Sequence, residues 1–284
     1  MSVNDHGILY IISTPVGNLK DITFRAVEIL KSVDLIAAED TRHSMSLFNH
    51  YGIEKQVISL HEHNEKKRLS LILDKIIQGE SVALVSDAGT PLINDPGYYL
   101  VKKAIDEGVK VVPIPGACAL IAALSVSGLA TNKFSFEGFL SHKSKKRKNE
   151  FTLLLNESRT MIFYESPHRI LDFLEDMKEI FGIDRKVVVA RELTKKFETV
   201  HRGLLGDLIN IINADPNQVR GEFVVLVEGG EVKSNDDFGV EKMINIFLGY
   251  LSLKESVEVA TKITNKNKNE IYNLALQIKN KNNI

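Results

Sequence analysis

The chain has 284 residues, of which 44% are hydrophobic and 26% charged, and its formal net charge is −1. This composition is typical of a globular protein with room for two domains, and it excludes a fibrous or low-complexity chain. The single cysteine, Cys118, excludes a disulfide scaffold and a cysteine-rich metal site. The opening residues lack the features of a secretory signal, and no apolar run is long enough to span a bilayer, so we expect a cytoplasmic protein.

The first half of the chain alternates short β-branched runs with helical patterns. Strands are predicted at 8–13, 34–38, 57–60, 82–86 and 109–114, and helices at 23–32, 44–51, 64–78 and 97–107. The helix at 64–78 has an apolar stripe at helical spacing, and Asn64 can cap its start while Gly79 can end it. Strands separated by helices imply right-handed crossovers and a mainly parallel sheet.

A second α/β series begins after Gly128. Strands are predicted at 134–140, 160–164, 186–190, 199–204 and 222–227, and helices at 145–156, 170–180 and 205–213. From about residue 233 the strand patterns stop, and two or three helices are predicted, one opened by Ser252 and the next by Lys268. We therefore predict three domains: an α/β domain at 1–130, a second at 131–232 and a helical appendage at 233–284. The appendage resembles a helix-turn-helix and could grip RNA through its lysines or serve as a packing module.

Small residues follow three strands of the predicted first domain. These loops are STPVGN at 13–18, SDAGTP at 86–91 and PGACA at 115–119. Ligands of open parallel sheets bind beyond the carboxyl ends of the strands, where such loops meet. Neither of the Gly-rich phosphate-binding patterns occurs there, which disfavours a dinucleotide dehydrogenase or a P-loop kinase. A cofactor without phosphates, held by backbone groups and one carboxylate, fits these loops better.

A set of segments, in order along the chain, resembles one family: TPVGN, AAEDTRHS, SDAGTPLINDPG, PGACA, FEGFL, FYESPHR and ARELTKKFE. From about residue 7 to residue 228 the chain is similar to the tetrapyrrole-methylase superfamily, the class III S-adenosylmethionine methyltransferases. AEDTR and YESPHR resemble the branch that methylates a cytidine ribose 2′-hydroxyl in small-subunit ribosomal RNA. The superfamily's usual Gly-Asp-Pro loop is replaced here by Asp-Ala-Gly-Thr-Pro, the form of that branch.

The resemblance implies two α/β domains with a cofactor cleft between them, a small helical C-terminal extension and a homodimer. The implied cofactor is S-adenosylmethionine, folded rather than extended. A carboxylate near its ammonium or sulfonium would offset the positive charge, which gives Asp87 a physical role. The residues assigned to the cofactor are Asp87, Gly89, Thr90, Pro115, Gly116, Ala117 and Ala119, with backbone near Phe163 and Tyr164 contributing to the adenine pocket.

The implied reaction needs an in-line approach of the acceptor oxygen and no metal. A base that accepts the hydroxyl proton would add roughly 10²–10⁴-fold to the rate. Charged clusters at 39–43, 165–169 and 191–195 each follow a β-like run and could lie at the mouth of the cleft. The base candidates, which the sequence leaves unranked, are Glu165, His168 and Lys195. Lys195 could serve only if burial or a nearby cation lowered its pKa. The same clusters supply the arginine candidates for RNA contacts, Arg42, Arg169 and Arg191.

The net charge gives no global attraction to RNA, but residues 142–148 read HKSKKRK and hold five of the 36 lysines and arginines. This run is either a solvated loop or helix start, or a patch that binds a phosphate backbone. The patch candidates are Lys143, Lys145, Lys146, Arg147 and Lys148.

The segment His61-Glu62-His63 could suggest zinc. Imidazoles of a His-x-His strand project to opposite sides, however, and no third ligand is evident, so we predict no metal site. The predicted partner is small-subunit ribosomal RNA or the assembled small subunit, with no membrane partner. Two rivals remain: a methylase of corrinoid or sirohaem precursors with the same fold, and an RNA-binding ribosome-assembly factor without catalysis.

Overall fold

A computed structural model describes residues 6–230, 235–264 and 266–281. They form two compact units. The first runs to Thr152 and resumes over Arg159–Glu228, and the second comprises Leu153–Ser158 and the described residues from Gly229 onward. The expected domain boundary at 232/233 lies outside the described residues, as does Asn265 in the last interhelical turn.

The first sheet of the larger unit is parallel throughout, as predicted. Its order is β3-β2-β4-β1-β5. The strands are β1 Ile8–Ile12, β2 Leu35–Ala38, β3 Gln56–Ser59, β4 Val82–Val85 and β5 Lys110–Ile114, and the helices between them are α1 Phe24–Ser32, α2 Thr41–Tyr51, α3 Glu65–Ile77 and α4 Tyr98–Asp106. The central strands β2 and β4 are buried along their whole length because helices pack on both faces of the sheet. This arrangement brings the carboxyl ends of all the strands to one edge.

The second sheet is mixed, in the order β6-β7-β10-β8-β9. Its strands are β6 Phe134–Gly138, β7 Thr160–Glu165, β8 Lys186–Arg191, β9 Thr199–Leu204 and β10 Phe223–Val227, with helices α5 Ala119–Ser127, α6 Ser144–Leu153, α7 Ile170–Phe181 and α8 Leu205–Ala214. Only β6 and β7 pair in parallel. Leu120 and Leu124 of α5 pack on one face of the sheet, while Phe163 of β7 points to the other and meets Phe151 and Phe173.

Two features of the first unit differ from the sequence predictions. Helix α5 was not predicted, because its apolar residues extend around the helix instead of forming a stripe. Asn64 makes no side-chain cap on α3. Its amide accepts from the His61 backbone N–H at 2.9 Å and donates to the Ser59 carbonyl at 3.2 Å, so it fixes the turn before the helix. As predicted, α3 ends just before Gly79, whose φ is 97°.

The smaller unit contains α9 Asn235–Leu248, α10 Leu253–Thr264 and α11 Lys268–Lys281. Their shared core includes Ile244, Val257 and Ile271. Ser252 opens α10 as predicted: its hydroxyl accepts from the Glu255 N–H, and the Glu255 carboxylate accepts from the Ser252 N–H at 3.0 Å. Among the described residues no helix is long and apolar enough to cross a membrane.

Candidate active site

Hydrogen bonds join the three small-residue loops at the carboxyl edge of the first sheet. Thr14 and Gly89 form an antiparallel bridge, with N–H to carbonyl distances of 2.8 and 3.0 Å. The Thr90 hydroxyl donates to the Ala117 carbonyl at 3.1 Å. Because that hydroxyl has one proton, it accepts from the Ser13 hydroxyl, 2.9 Å away. Hydrogen bonds thus hold residues from all three loops close together.

Two glycines in these loops are required by their surroundings. A Cβ on Gly116 would lie 2.9 Å from the Ser13 Cβ, closer than side chains approach. Gly89 has a φ of +82°, in the left-handed region that side chains disfavour. Glycine at both positions lets the backbone of the second and third loops come close to the first.

A cavity of about 430 Å³ opens in the larger unit between these loops and the second sheet. This volume lies within the range of small-molecule sites. Its first-sheet wall consists of Val16, Ala88, Gly89, Thr90, Ile93, Asp95, Cys118 and Ala119. Its second-sheet wall consists of Phe139, Tyr164, Glu165, Ser166, Pro167, Leu193, Glu222, Phe223 and Val224. The walls are mostly apolar, with a few carboxylates and hydroxyls.

Of the residues predicted to bind a cofactor, Gly89, Thr90, Ala119 and Tyr164 line the cavity. Ala117 contributes through its carbonyl bond to Thr90, whereas Pro115 and Gly116 are exposed. Phe163 is fully buried on the opposite face of β7, so only its backbone is available on the cavity side. Asp87 is half-buried, and its Oδ1 accepts from the Asp40 N–H at 2.9 Å.

Three carboxylates gather where β2 and β4 end. Burial and the neighbouring Asp87 raise the pKa of Glu39. Burial, Glu39 and Asp87 together raise the pKa of Asp95 to about 6, although a hydrogen bond from Ser86 lowers it. In the described part of the chain no lysine or arginine pairs with any of the three. Of the three, Asp95 lines the cavity and Glu39 and Asp87 do not, and the negative charge around Asp95 favours a positively charged ligand.

Tyr164 connects the two walls. Its phenol oxygen accepts from the Leu120 N–H at the start of α5, at 3.2 Å. Burial raises the pKa of this phenol above its ordinary value, so the group stays protonated. Its ring meets Phe136 and Phe139 edge to face, with centroids 4.8 and 5.7 Å away. Phe139 is half exposed.

Glu165, a predicted base candidate, lines the cavity but is already bound on both oxygens. Oε1 accepts from the Ser166 N–H at 2.7 Å and from its hydroxyl at 3.3 Å. Oε2 pairs with Arg169 at 3.1 Å, and Arg169 also donates to the Leu140 carbonyl. The Glu165 side chain is fully buried, so this pair stabilises the wall. The same contacts occupy Arg169, a predicted RNA ligand.

The other two base candidates lie in different environments. Burial acts to lower the pKa of Lys195, but its hydrogen bonds to Glu192 and Glu222, at 2.9 and 2.8 Å, outweigh burial and raise that pKa. Lys195 could act as a base only with a lowered pKa, and its pKa is raised. Its aliphatic chain lies against Gly17, where a Cβ would come within 2.4 Å. His168 is exposed and does not line the cavity.

The remaining arginine candidates differ sharply in exposure. Arg191 is 8% exposed and donates to the carbonyls of Arg220 and Phe197, so it holds two loops together. The Arg42 side chain is 90% exposed and pairs with Asp40 at 3.3 Å. Only Arg42 of this pair offers its guanidinium to an external partner.

The basic run at 142–148 likewise contains both buried and exposed side chains. Arg147 is 2% exposed and forms a two-point ion pair with Asp176 of α7. Lys148 pairs with Asp176 at 3.4 Å and with Glu179 at 2.6 Å. Exposed lysines remain at Lys143, Lys145 and Lys146, the last 3.8 Å from Glu150. Arg147 and Lys148 thus fix α6 on α7, and the exposed part of the run is smaller than the sequence suggests.

Asp95 and Phe139 line the cavity and were not among the predicted site residues. A signal for Asp95 was present, since it lies in the loop that follows β4, a few residues after Asp87. His61 and His63 stand in a turn, not a strand, with ring centroids 6.0 Å apart, which corrects the expected opposite orientation. Among the described residues no group of three or more potential metal ligands occurs.

Comparison with known proteins identifies the class. The family model for tetrapyrrole (corrin/porphyrin) methylases matches residues 8–209. The chain belongs to this family, whose members are methyltransferases. Solved structures with the same fold include a cobalt precorrin-4 methyltransferase, with a TM-score of 0.56 and 18% identity over 80% of this chain and 97% of that one. A diphthine synthase matches with a TM-score of 0.58 and 16% identity over 78% of this chain and 90% of that one.

Curated relatives are much more similar in sequence. The protein from Haemophilus influenzae named ribosomal RNA small subunit methyltransferase I is 48% identical over 95% of this chain and 96% of its own length. The protein of the same name from Escherichia coli O157:H7 is 47% identical over 96% of both chains. The similarity therefore extends beyond the family model into the C-terminal helices.

Proposed function

We propose that this protein transfers a methyl group from S-adenosylmethionine to the 2′-hydroxyl of a cytidine ribose in small-subunit ribosomal RNA. The observation that carries the proposal is the similarity, over nearly the full chain, to proteins named ribosomal RNA small subunit methyltransferase I. The cytidine and the ribose oxygen come from the AEDTR and YESPHR segments, which resemble the branch with that specificity.

The residues of the cavity fit S-adenosylmethionine. The cofactor carries a sulfonium and an ammonium, and Asp95 in the lining, with Glu39 and Asp87 near it, has no lysine or arginine partner in the described chain. Gly89, Thr90 and Ala119 of the small-residue loops line the cavity, so the backbone of these loops is close to a bound molecule. Asp87 would hold a positive group of the cofactor, and the backbone of Ala117 and Tyr164 would bind its neutral parts. When bound, the cofactor supplies a methyl group on a positively charged sulfur.

The negative charge of these carboxylates determines which part of an RNA chain can enter the cavity. Phosphates would be repelled by the carboxylates on the first-sheet wall, whereas a ribose and base carry no net charge. Phe139, half exposed at the second-sheet wall, offers a ring face to a base. We therefore expect a single nucleotide to be turned into the cavity, with its phosphates outside.

The exposed cations would hold the phosphates. Arg42 and the lysines Lys143, Lys145 and Lys146 are exposed and suit this role. Arg147, Lys148, Arg169 and Arg191 are engaged with acidic or backbone partners and would act by supporting the fold.

The test is methyl transfer from labelled S-adenosylmethionine to small ribosomal subunits from cells that lack this protein, followed by nucleoside analysis. We expect a 2′-O-methylated cytidine. Asp87→Ala should abolish the product, whereas Asp106→Ala, at an exposed position on α4, should leave it unchanged. Label on a base would overturn the position assigned to the methyl group.

The rivals predict different outcomes of the same assay. A methylase of corrinoid or sirohaem precursors would label a tetrapyrrole and leave the RNA unlabelled. A non-catalytic assembly factor would bind the subunit and transfer nothing. A homodimer is part of the proposal, and light scattering of the purified protein would measure it.

A further inference from the structure

Asp95 occupies a position in the cavity that the proposed reaction can use. It lies in the loop between β4 and α4 and lines the cavity together with Thr90, Tyr164 and Glu165. It is half-buried, and no lysine or arginine of the described chain pairs with it. A carboxylate that faces a reaction cavity without a cationic partner is free to accept a proton from a ligand.

The loop that carries Asp95 has an unusual backbone. Leu92 and Asn94 have φ angles of 72° and 66°, and Gly97 has a φ of 120°. Non-glycine residues disfavour this region and persist in it where the surroundings enforce it. The Asn94 Oδ1 fills the space beside Gly138, where a Cβ would come within 2.7 Å. The residue next to Asp95 thus lies close to the end of β6, and Asp95 itself lines the cavity.

The groups that face Asp95 adjust its proton affinity. Glu39 at the end of β2 and Asp87 at the end of β4 are negative, Ser86 donates a hydrogen bond, and the Tyr164 phenol faces it from β7. Burial and the two carboxylates raise the Asp95 pKa to about 6. At pH 7.5 the group is ionised, yet it is a stronger base than an ordinary aspartate, as a general base requires.

None of the three predicted base candidates is a cavity-lining group without a charged partner. Both Glu165 oxygens accept hydrogen bonds from Ser166 and Arg169. Lys195 is held as a cation by Glu192 and Glu222. His168 does not line the cavity. Asp95 is the lining carboxylate that remains available for proton transfer.

We propose that Asp95 is the catalytic base of the methyl transfer. The acceptor hydroxyl oxygen forms a bond to the methyl carbon, and the carbon–sulfur bond breaks with its electron pair on sulfur. The hydroxyl proton moves to an Asp95 carboxylate oxygen. This inference rests on the proposed function, because it requires a hydroxyl acceptor.

The experiment compares wild type, Asp95→Asn and the exposed control Asp106→Asn, with small ribosomal subunits as acceptor and saturating labelled cofactor. Wild type should show kcat/KM rising with pH to a plateau, with an apparent pKa near 6. Asp95→Asn should lose about 10²–10⁴-fold in kcat and lose that rise, while the cofactor Kd changes less than about 10-fold. Asp106→Asn should match wild type.

A second variant tests the same assignment without removing the base. Glu39→Gln deletes a negative charge that raises the Asp95 pKa, so the rise in kcat/KM should move to lower pH. This variant decides the question if Asp95→Asn does not fold. We expect Asp95→Asn to fold. Because the Asp95 pKa is raised in the folded state, ionising Asp95 lowers the stability of the fold as the pH rises from about 4 to 6, and this loss is complete at pH 7.5. Asparagine carries no charge and avoids that loss.

The proposal is overturned if Asp95→Asn keeps kcat within about threefold of wild type and loses only cofactor affinity, since Asp95 would then be a cofactor ligand. It is also overturned if the pH dependence persists in Asp95→Asn or does not move in Glu39→Gln. Failure of wild type itself to methylate the subunits would instead refute the proposed function, so the two failures are distinguishable.

Discussion

The charged residues near the two walls of the cavity differ in whether they have partners of opposite charge. Asp95 of the first-sheet wall and its neighbours Glu39 and Asp87 have no lysine or arginine partner in the described chain, and burial raises the pKa of Glu39 and Asp95. On the second-sheet side, Glu165 pairs with Arg169, and Lys195 pairs with both Glu192 and Glu222. The first wall is therefore suited to bind a cation and accept a proton. The second is stabilised by charges that neutralise one another.

Breaking the second-wall ion pair should produce the largest loss of stability. Arg169→Ala leaves the fully buried Glu165 carboxylate without its cation. We expect the free energy of unfolding to fall by about 3–5 kcal/mol, measured by urea denaturation. Arg42→Ala, at an exposed pair, should change it by less than about 0.5 kcal/mol. Equal effects of the two variants would mean that the Glu165 pair contributes little to the fold.

Removing a charge from the first wall should affect binding more than stability. Asp87→Asn keeps the shape of the side chain but removes the charge that we propose faces the cofactor cation. We expect the Kd for S-adenosylmethionine, measured by calorimetry, to rise about 10–100-fold, which corresponds to the strength of a charged hydrogen bond. S-adenosylhomocysteine, which lacks the sulfonium charge, provides the comparison. An equal loss for both ligands would indicate that Asp87 contacts the ammonium rather than the sulfonium.

Tyr164 joins the two walls, so its phenol tests whether they depend on each other. Tyr164→Phe leaves the Leu120 N–H without its acceptor. We expect a loss of about 1–3 kcal/mol in unfolding free energy and a smaller loss of cofactor affinity. Thermal and urea unfolding measure the first effect and calorimetry the second. Unchanged stability would show that water replaces the phenol oxygen.

The smallest effect is expected at the basic run. Lys143→Ala and Lys145→Ala change exposed residues, so the unfolding free energy should stay within about 0.5 kcal/mol. If these lysines contact phosphates, each variant should reduce the slope of log K against log salt for RNA binding by about one. Lys102→Ala on α4 is an exposed lysine outside the run and should leave the slope unchanged.

The sequence by itself determined the order and type of nearly all the elements and the location of the three small-residue loops. Alternating apolar runs and helical stripes predicted a parallel first sheet, because such patterns depend on residues close together in the chain. The three small-residue loops follow from the same reasoning, since parallel strands end at one edge. Helix α5 was missed because it is apolar almost all round and is defined by its burial against the second sheet.

Only the tertiary structure decided which charged residues are available. In the sequence, Arg147 and Lys145 belong to one basic run, and Glu165 and Asp95 are both acids in loops that follow strands. Asp176 of α7 pairs with Arg147, and Arg169 pairs with Glu165, four residues before it. Among the described residues, Asp95 instead faces the carboxylates of Glu39 and Asp87, the Ser86 hydroxyl and the Tyr164 phenol. Charges act through space: the partner of Arg147 and the acids around Asp95 come from distant segments, and the Glu165 pair depends on how the turn after β7 folds. Local pattern therefore identifies the chemical groups of the site, and folding determines which of them are free to act.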